Sequence, residues 1–222
     1  FDRSQAGELA FGREAAHSRR RILHAHGDST GAELVRALAA RVANAPWVTL
    51  FEGSFAVEIL VENGVVRGLV TRGADGRVRL HEAPRVVLAT GGLGQLYRHT
   101  TNPPESTGDG LARAAVAGAR LVDLEFVQFH PTALAIERDP LPLLTEALRG
   151  EGAVLLDESG ERFMPAEHAD AELAPRDIGA RAIWRRLAAG SRVFLDARTA
   201  VGDSFPERFP TVFAQVVAAG ID

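Results

Sequence analysis

Apolar residues recur at Leu34, Leu38 and Val42, the spacing of one helix face, behind an Asp28-Ser29-Thr30 cluster able to cap its start. Asn44-Ala45-Pro46 ends that helix, because a proline disfavours helical geometry in the residue before it. Runs rich in Val, Ile and Phe then predict strands over Val48–Phe51, Phe55–Val61, Val65–Thr71 and Val78–His81. Asn63-Gly64 and Asp75-Gly76 read as hairpin turns, since Asn and Gly tolerate the positive φ that tight hairpins need. The stretch Arg85-Val-Val-Leu-Ala89 is different in kind: it is continuously apolar and closes on Thr90-Gly91-Gly92. Such a strand is expected to be buried on both faces, as at the centre of a parallel sheet. The order helix, strand, meander, buried strand, glycine-rich loop predicts an α/β fold with an inserted antiparallel sheet.

Ser106-Thr-Gly-Asp-Gly110 leads into a helix over Leu111–Ala119, whose Ala112, Ala115, Gly118 and Ala119 permit close packing and for which Asp109 is the expected N-cap. Past Asp123, prolines at 131, 140 and 142 interrupt regular structure, so a domain boundary is placed near Leu124, giving segments 1–124 and 125–222. Val154–Asp157 and Arg162-Phe163 bracket a turn at Glu158-Ser-Gly160. Pro175-Arg-Asp177 opens a helix reaching Leu187, with proline near the first turn, and a strand Val193–Asp196 and a helix Phe209–Ala219 follow. The opening, Phe1–Asp28, lacks periodicity, and its Arg19–Arg21 run reads as a solvated surface segment.

With 46% apolar and 24% charged residues and a net charge of −4, the 222 residues have the balance of an ordinary globular protein. No basic stripe with interleaved aromatics is present, which argues against nucleic acid as a partner. No apolar run is long enough to span a bilayer, and no signal-peptide core follows Phe1, so neither membrane association nor export is expected. The absence of cysteine excludes disulfides, iron–sulfur clusters and thiol nucleophiles in these residues, and fits a cytoplasmic location. His24-x-His26 lacks the partners a metal site needs, and no G-x-S-x-G motif occurs. The chain starts on Phe and stops just after an apparent helix, as a piece of a longer polypeptide does.

Gly91-Gly-Leu-Gly94 invites a dinucleotide reading, but the sixth position counted from Gly92 is Tyr97, so the G-x-G-x-x-G fingerprint fails. The loop reads instead either as a plain turn or as backbone that passes close to a flat ligand. The densest chemistry lies between Glu125 and Arg176: His130, Thr145-Glu146, Arg149 and Arg176-Asp177. Each has an ordinary explanation alone: a core histidine, a cap with a surface acid, an ion pair of Arg149 with Glu151, and Arg176 offset by Asp177 against the helix dipole. Jointly, two arginines, a histidine and a threonine make a carboxylate clamp, because Arg offers a planar fork of donors and His and Thr add single bonds.

ATGG at 89–92, TTNP at 100–103, STGDG at 106–110, EFVQFHPTAL at 125–134, TEALRGEGA at 145–153, ERFM at 161–164 and ELAPRDIGARAI at 172–183 together resemble the succinate dehydrogenase/fumarate reductase flavoprotein family across essentially the whole chain. Ala147-Leu148, Ala153, the proline of ELAPRD, and the acid in Gly12-Arg-Glu-Ala-Ala-His-Ser18 match its L-aspartate-oxidising branch; Ala15-Ala16 replace the two glycines often found there. The resemblance implies a partial FAD-binding Rossmann-like domain with an antiparallel β-meander over 1–124 and a fumarate-reductase-type capping domain over 125–222. It implies Arg176 as proton acceptor with Glu146 in the same network, His130 and Thr145 on substrate carboxylate oxygens, Glu14 on the substrate ammonium, and Asp109, Gly91 and Gly92 at the flavin. The implied reaction is oxidation of L-aspartate to iminoaspartate by hydride transfer to flavin N5, with oxygen or fumarate as acceptor, in NAD biosynthesis. Implied partners are L-aspartate and the C4 dicarboxylates fumarate and succinate, with quinolinate synthase downstream. The family places the pyrophosphate-seating G-x-G-x-x-G turn before Phe1 and further substrate-binding His and Arg residues after Asp222. These residues alone are therefore expected to bind FAD weakly or not at all and to be inactive. The alternatives are a succinate dehydrogenase or fumarate reductase flavoprotein and a non-catalytic scaffold.

Overall fold

The computed structural model describes residues 1–221. They form two compact units, one of Phe1–Arg41 with the chain from Val127 onward, the other of Val42–Phe126. The fold is mixed, with helices and three antiparallel sheets, and no parallel ladder occurs among the described residues.

In the first unit, β1 (Phe11–Gly12) pairs with β2 (Ile22–Leu23), and the residues between them loop out. Helix α1 (Thr30–Ala43) follows where the Leu34, Leu38 and Val42 period asks for it, yet none of its residues is buried. After Val127 the unit contains α3 (Glu146–Gly150), β6 (Val154–Asp157), α4 (Met164–Glu167), α5 (Arg176–Ala188), β7 (Val193–Asp196), α6 (Phe205–Arg208) and α7 (Pro210–Ala218). β6 and β7 pair from Val154↔Asp196 to Asp157↔Val193. Two buried clusters anchor this unit. Ala147, Leu148, Ala153, Val201, Phe209 and Val212 form one, and Leu155, Phe163, Met164, Ala174, Ala182 and Ile183 the other. Full burial of a Leu, Phe or Met side chain contributes about 1.5–3 kcal/mol, so these clusters hold α3 and α5 in place. The N-terminal segment is tied to α7 as well: the Asp28 carboxylate accepts from Thr211 N at 3.1 Å and Val212 N at 2.9 Å.

The second unit is built on the meander β3 (Ser54–Glu62), β4 (Val65–Gly73) and β5 (Val78–Glu82), with α2 (Asp109–Val116) packed against β3. Asn63 (φ 50°) and Gly64 (φ 74°) form the expected two-residue hairpin. The Asp75-Gly76 connection is longer, running from Gly73 to Val78, and only Gly76 takes positive φ (76°). Two strand expectations are corrected. Neither Val48–Phe51 nor Arg85–Ala89 is a strand, and Val87 is 88% exposed. A strand needs a ladder of backbone partners, and no ladder among the described residues includes either stretch. The expected N-cap is corrected too. Gly108, at φ 80°, occupies that position, and Asp109 sits in the first turn with its carboxylate accepting from the Thr107 hydroxyl.

Candidate active site

The site grows from α3. Ala147 and Leu148 point into the core, which leaves Glu146 and Arg149, three apart, on the other face of a single turn. Thr145 caps this turn, its hydroxyl accepting from Ala147 N at 3.3 Å. Arg149 is only 2% exposed; its Nη1 donates to Glu172 O at 3.0 Å and its Nη2 to Glu146 Oε1 at 2.9 Å. Arg149 Nε has no partner among the described residues. Burial pushes the Arg149 guanidinium below its ordinary pKa, while the charge and hydrogen bond of Glu146 work against that shift.

The other oxygen of Glu146 takes Arg176. Arg176 is the first residue of α5, whose N-cap Pro175 offers no side-chain acceptor. Its Nε donates to Glu146 Oε2 at 2.6 Å, and its Nη1 to Gln128 Oε1 at 2.8 Å. The hydrogen bond to Glu146 raises the Arg176 pKa above its ordinary value, burial works against it, and the charges of Glu146 and Glu14 add to the rise. Burial disfavours the charged form of Glu146, but the hydrogen bond and charge of Arg176 and the charge of Arg149 outweigh it, and the carboxyl is held low. α5 passes over the His130 segment, where a Cβ on Gly179 would sit 3.5 Å from Pro131 Cβ. His130 Nδ1 lies 2.9 Å from Thr132 O and 3.2 Å from Thr132 N. The shorter contact suits a Nδ1–H donating to the carbonyl and leaves Nε2 for a ligand. Burial lowers the His130 pKa, with the Arg176 and Arg149 charges adding and the Thr132 contact and Glu146 opposing.

One compact unit thus brings together Glu14, His130, Thr145, Glu146 and Arg176 of the expected site. Asp109, Gly91 and Gly92 belong to the other unit. There Gly91 takes φ 73°, a Cβ on Gly92 would meet nothing within 4 Å, and Gly108 N donates to Gly92 O at 3.2 Å. The result is a bare, exposed stretch of backbone held against the start of α2.

The model of a family described as FAD binding domain matches residues 1–222. The chain belongs to this FAD-binding domain family. It is 55% identical to an L-aspartate oxidase of Agrobacterium fabrum over 222 residues, 100% of this chain and 42% of that one. It is 46% identical to an L-aspartate oxidase of Bacillus subtilis over 222 residues, 41% of that chain. Among solved structures, a quinol-fumarate reductase with menaquinol molecules matches all of this chain and 42% of its own, with TM-score 0.89 and 32% identity. Mycobacterium smegmatis Sdh1 in complex with UQ1 matches with TM-score 0.71 and 32% identity over 40% of that chain. The chain therefore spans about 42% of the length of the curated relatives it matches. FAD is the cofactor of this FAD-binding domain family. The residues present suit it, since exposed glycine backbone at 91–92 with open space beside it lets a flat ring approach, and the exposed Asp109 carboxylate lies at the adjacent helix start.

Two pairings inferred from sequence neighbours are corrected. Arg149 pairs with Glu146 and not with Glu151, and Arg176 pairs with Glu146 while Asp177 pairs with Arg181. Gln128 and Glu172 were not singled out. Gln128 lies two before His130, and in an extended segment alternate residues share a side, which is the signal that would have found it. Glu172 gave no local signal, because its carboxylate is fixed by Leu155 N at 3.1 Å and Arg162 Nε at 3.0 Å from elsewhere in the chain. No helix among the described residues is long and apolar enough to cross a membrane.

Proposed function

We propose that this chain is a segment of an L-aspartate oxidase, which oxidises L-aspartate to iminoaspartate, with segment 1–124 belonging to the FAD-binding domain and 125–222 to the cap. The observation that carries the reading is the company around Glu146: two arginines on one buried carboxylate, a histidine beside them, and Glu14 close enough to act on Arg176. Two cations sharing one acid suit a dicarboxylate, and the added Glu14 suits one that carries an ammonium group.

His130 and Thr145 hold carboxylate oxygens of the substrate. The Thr145 oxygen already accepts from Ala147 N, so its proton is left to donate. His130 is kept neutral by burial, and an arriving carboxylate favours the imidazolium. Glu14 orients the ammonium. Arg176 is not a standing base, because its pairing with Glu146 raises its pKa. It accepts a proton only as it hands one to Glu146, so the two act as a relay, with Arg149 keeping Glu146 charged between turnovers. Asp109, Gly91 and Gly92 would hold FAD, which when bound supplies a hydride acceptor at flavin N5 and is reoxidised by oxygen or fumarate. The enzyme is cytoplasmic, and iminoaspartate passes to quinolinate synthase in NAD biosynthesis.

The test is Arg176→Ala in the full-length, FAD-loaded enzyme. The reading expects oxidation of L-aspartate to fall by about 10²-fold or more while the flavin spectrum and thermal unfolding stay as in the parent. Unchanged activity with intact folding would favour a scaffold whose arginines are structural.

A further inference from the structure

We infer that the Arg20–Glu151 ion pair, acting with the close contact at Gly150, straps the β1–β2 loop to the end of α3 and so positions Glu14. This makes the pair a determinant of selectivity for an amino dicarboxylate over one without the amino group, an inference that rests on the proposed role of Glu14. Glu14 sits in a loop with little core of its own, since Ala15 alone of residues 13–21 is fully buried. What fixes the loop is three attachments to α3 and to the turn ahead of α5. A Cβ on Gly150 would lie 2.8 Å from Arg13 C and 3.0 Å from Glu14 Cα, so glycine there lets the loop backbone rest directly on α3. Ala16 N donates to Leu173 O at 3.0 Å. Arg20 closes the far end, its Nη1 donating to Glu151 Oε1 at 2.7 Å and its Nη2 to Oε2 at 3.1 Å.

Glu151 is built to receive that fork. It is the C-cap of α3, its N–H bonded to Ala147 O at 2.9 Å, and Arg208 Nη2 also holds Oε2, at 2.8 Å. The Arg208 guanidinium lies 5.5 Å over the ring of the buried Phe209, a cation–π contact. A continuous set of contacts therefore leads from the core through Phe209, Arg208, Glu151 and Arg20 to the loop bearing Glu14. The Glu151 side chain is 12% exposed and that of Arg20 54%. Removing Arg20 consequently strands no buried charge, because Arg208 still pairs with Glu151. None of these strap residues touches the Glu146–Arg176 pair, so their loss loosens Glu14 while the carboxylate clamp stays whole.

The experiment uses the full-length, FAD-loaded enzyme with Arg20→Gln, Arg20→Lys and Glu14→Gln, reading KM and kcat for L-aspartate and the Ki of succinate as a competitor lacking the ammonium. Arg20→Gln is expected to raise KM for L-aspartate about 3- to 10-fold with kcat within about twofold, as suits loss of one partly exposed bidentate pair. The Ki of succinate is expected to stay unchanged, and Arg20→Lys to recover part of the loss. If Glu14→Gln raises KM for L-aspartate selectively but Arg20→Gln leaves it alone, the strap is refuted. An equal rise in KM and in the Ki of succinate refutes it too, as general loosening. If Glu14→Gln itself leaves the aspartate-to-succinate ratio unchanged, the role of Glu14 fails, and the inference fails with it.

Discussion

Glu146 is the residue whose change has the most calculable consequence. Its two oxygens divide between Arg149 and Arg176, and glutamine can reproduce neither charge nor both acceptors. The two arginines differ in what they lose. The Arg149 side chain is 1% exposed, has one nitrogen already without a partner, and cannot turn to water. Breaking a buried pair from one side costs about 3–5 kcal/mol, because the remaining charge is left uncompensated. The Arg176 side chain is 37% exposed and regains hydration, so its share is at most about 1 kcal/mol. Glu146→Gln is therefore expected to lower stability by about 3–5 kcal/mol, mostly through Arg149. Urea titration of the full-length enzyme at fixed FAD concentration measures this as a lower midpoint at unchanged slope. Arg149→Met added to Glu146→Gln removes the stranded charge, so the double variant is expected to lose much less than the sum of the two single losses. A cost for Glu146→Gln below about 1 kcal/mol, the size of an exposed pair, would refute this account of the buried pair, and so would costs that simply add.

Ala16 holds φ 64°, where a Cβ is unfavourable, so Ala16→Gly is expected to raise stability by up to about 1 kcal/mol, read as a higher unfolding midpoint. The Glu151 carboxyl is held below its ordinary 4.5 by the Arg20 hydrogen bond, with burial opposing and Arg208 adding. Burial opposes the charged form of Glu172 as well, but the hydrogen bonds of Arg162 and Leu155 N win and lower its pKa. Folded values below unfolded ones mean stability that is full above 4.5 and lost as pH falls through the folded values, so acid titration should unfold the parent there. In Arg20→Gln the loss should be smaller. These 222 residues expressed alone, about 42% of a relative's length, are expected to bind FAD weakly; a near-stoichiometric flavin spectrum in the purified segment would contradict that.

Much of the fold could be read from residue pattern alone where the forces are local. β6 and β7 fall on their apolar runs, α5 opens after Pro175, and Asn63-Gly64 makes its hairpin because both residues accept positive φ. Val48–Phe51 and Arg85–Ala89 have the composition of strands, but composition does not supply the neighbours that a ladder needs. At the site, the residue types were legible and the partners were not. Arg176 reaches Glu146 across thirty positions in place of the adjacent Asp177, and Glu151 reaches back to Arg20 in place of the nearby Arg149. Such pairings are set by how α3, α5 and the β1–β2 loop pack, which no short window of sequence contains.

The most direct measurement is anaerobic reduction of the flavin in the full-length enzyme, with L-aspartate and with succinate. A dicarboxylate clamp carrying Glu14 predicts rapid bleaching of the flavin by L-aspartate, none by succinate, and loss of the aspartate reaction in Arg176→Ala. Bleaching by succinate alone would contradict it.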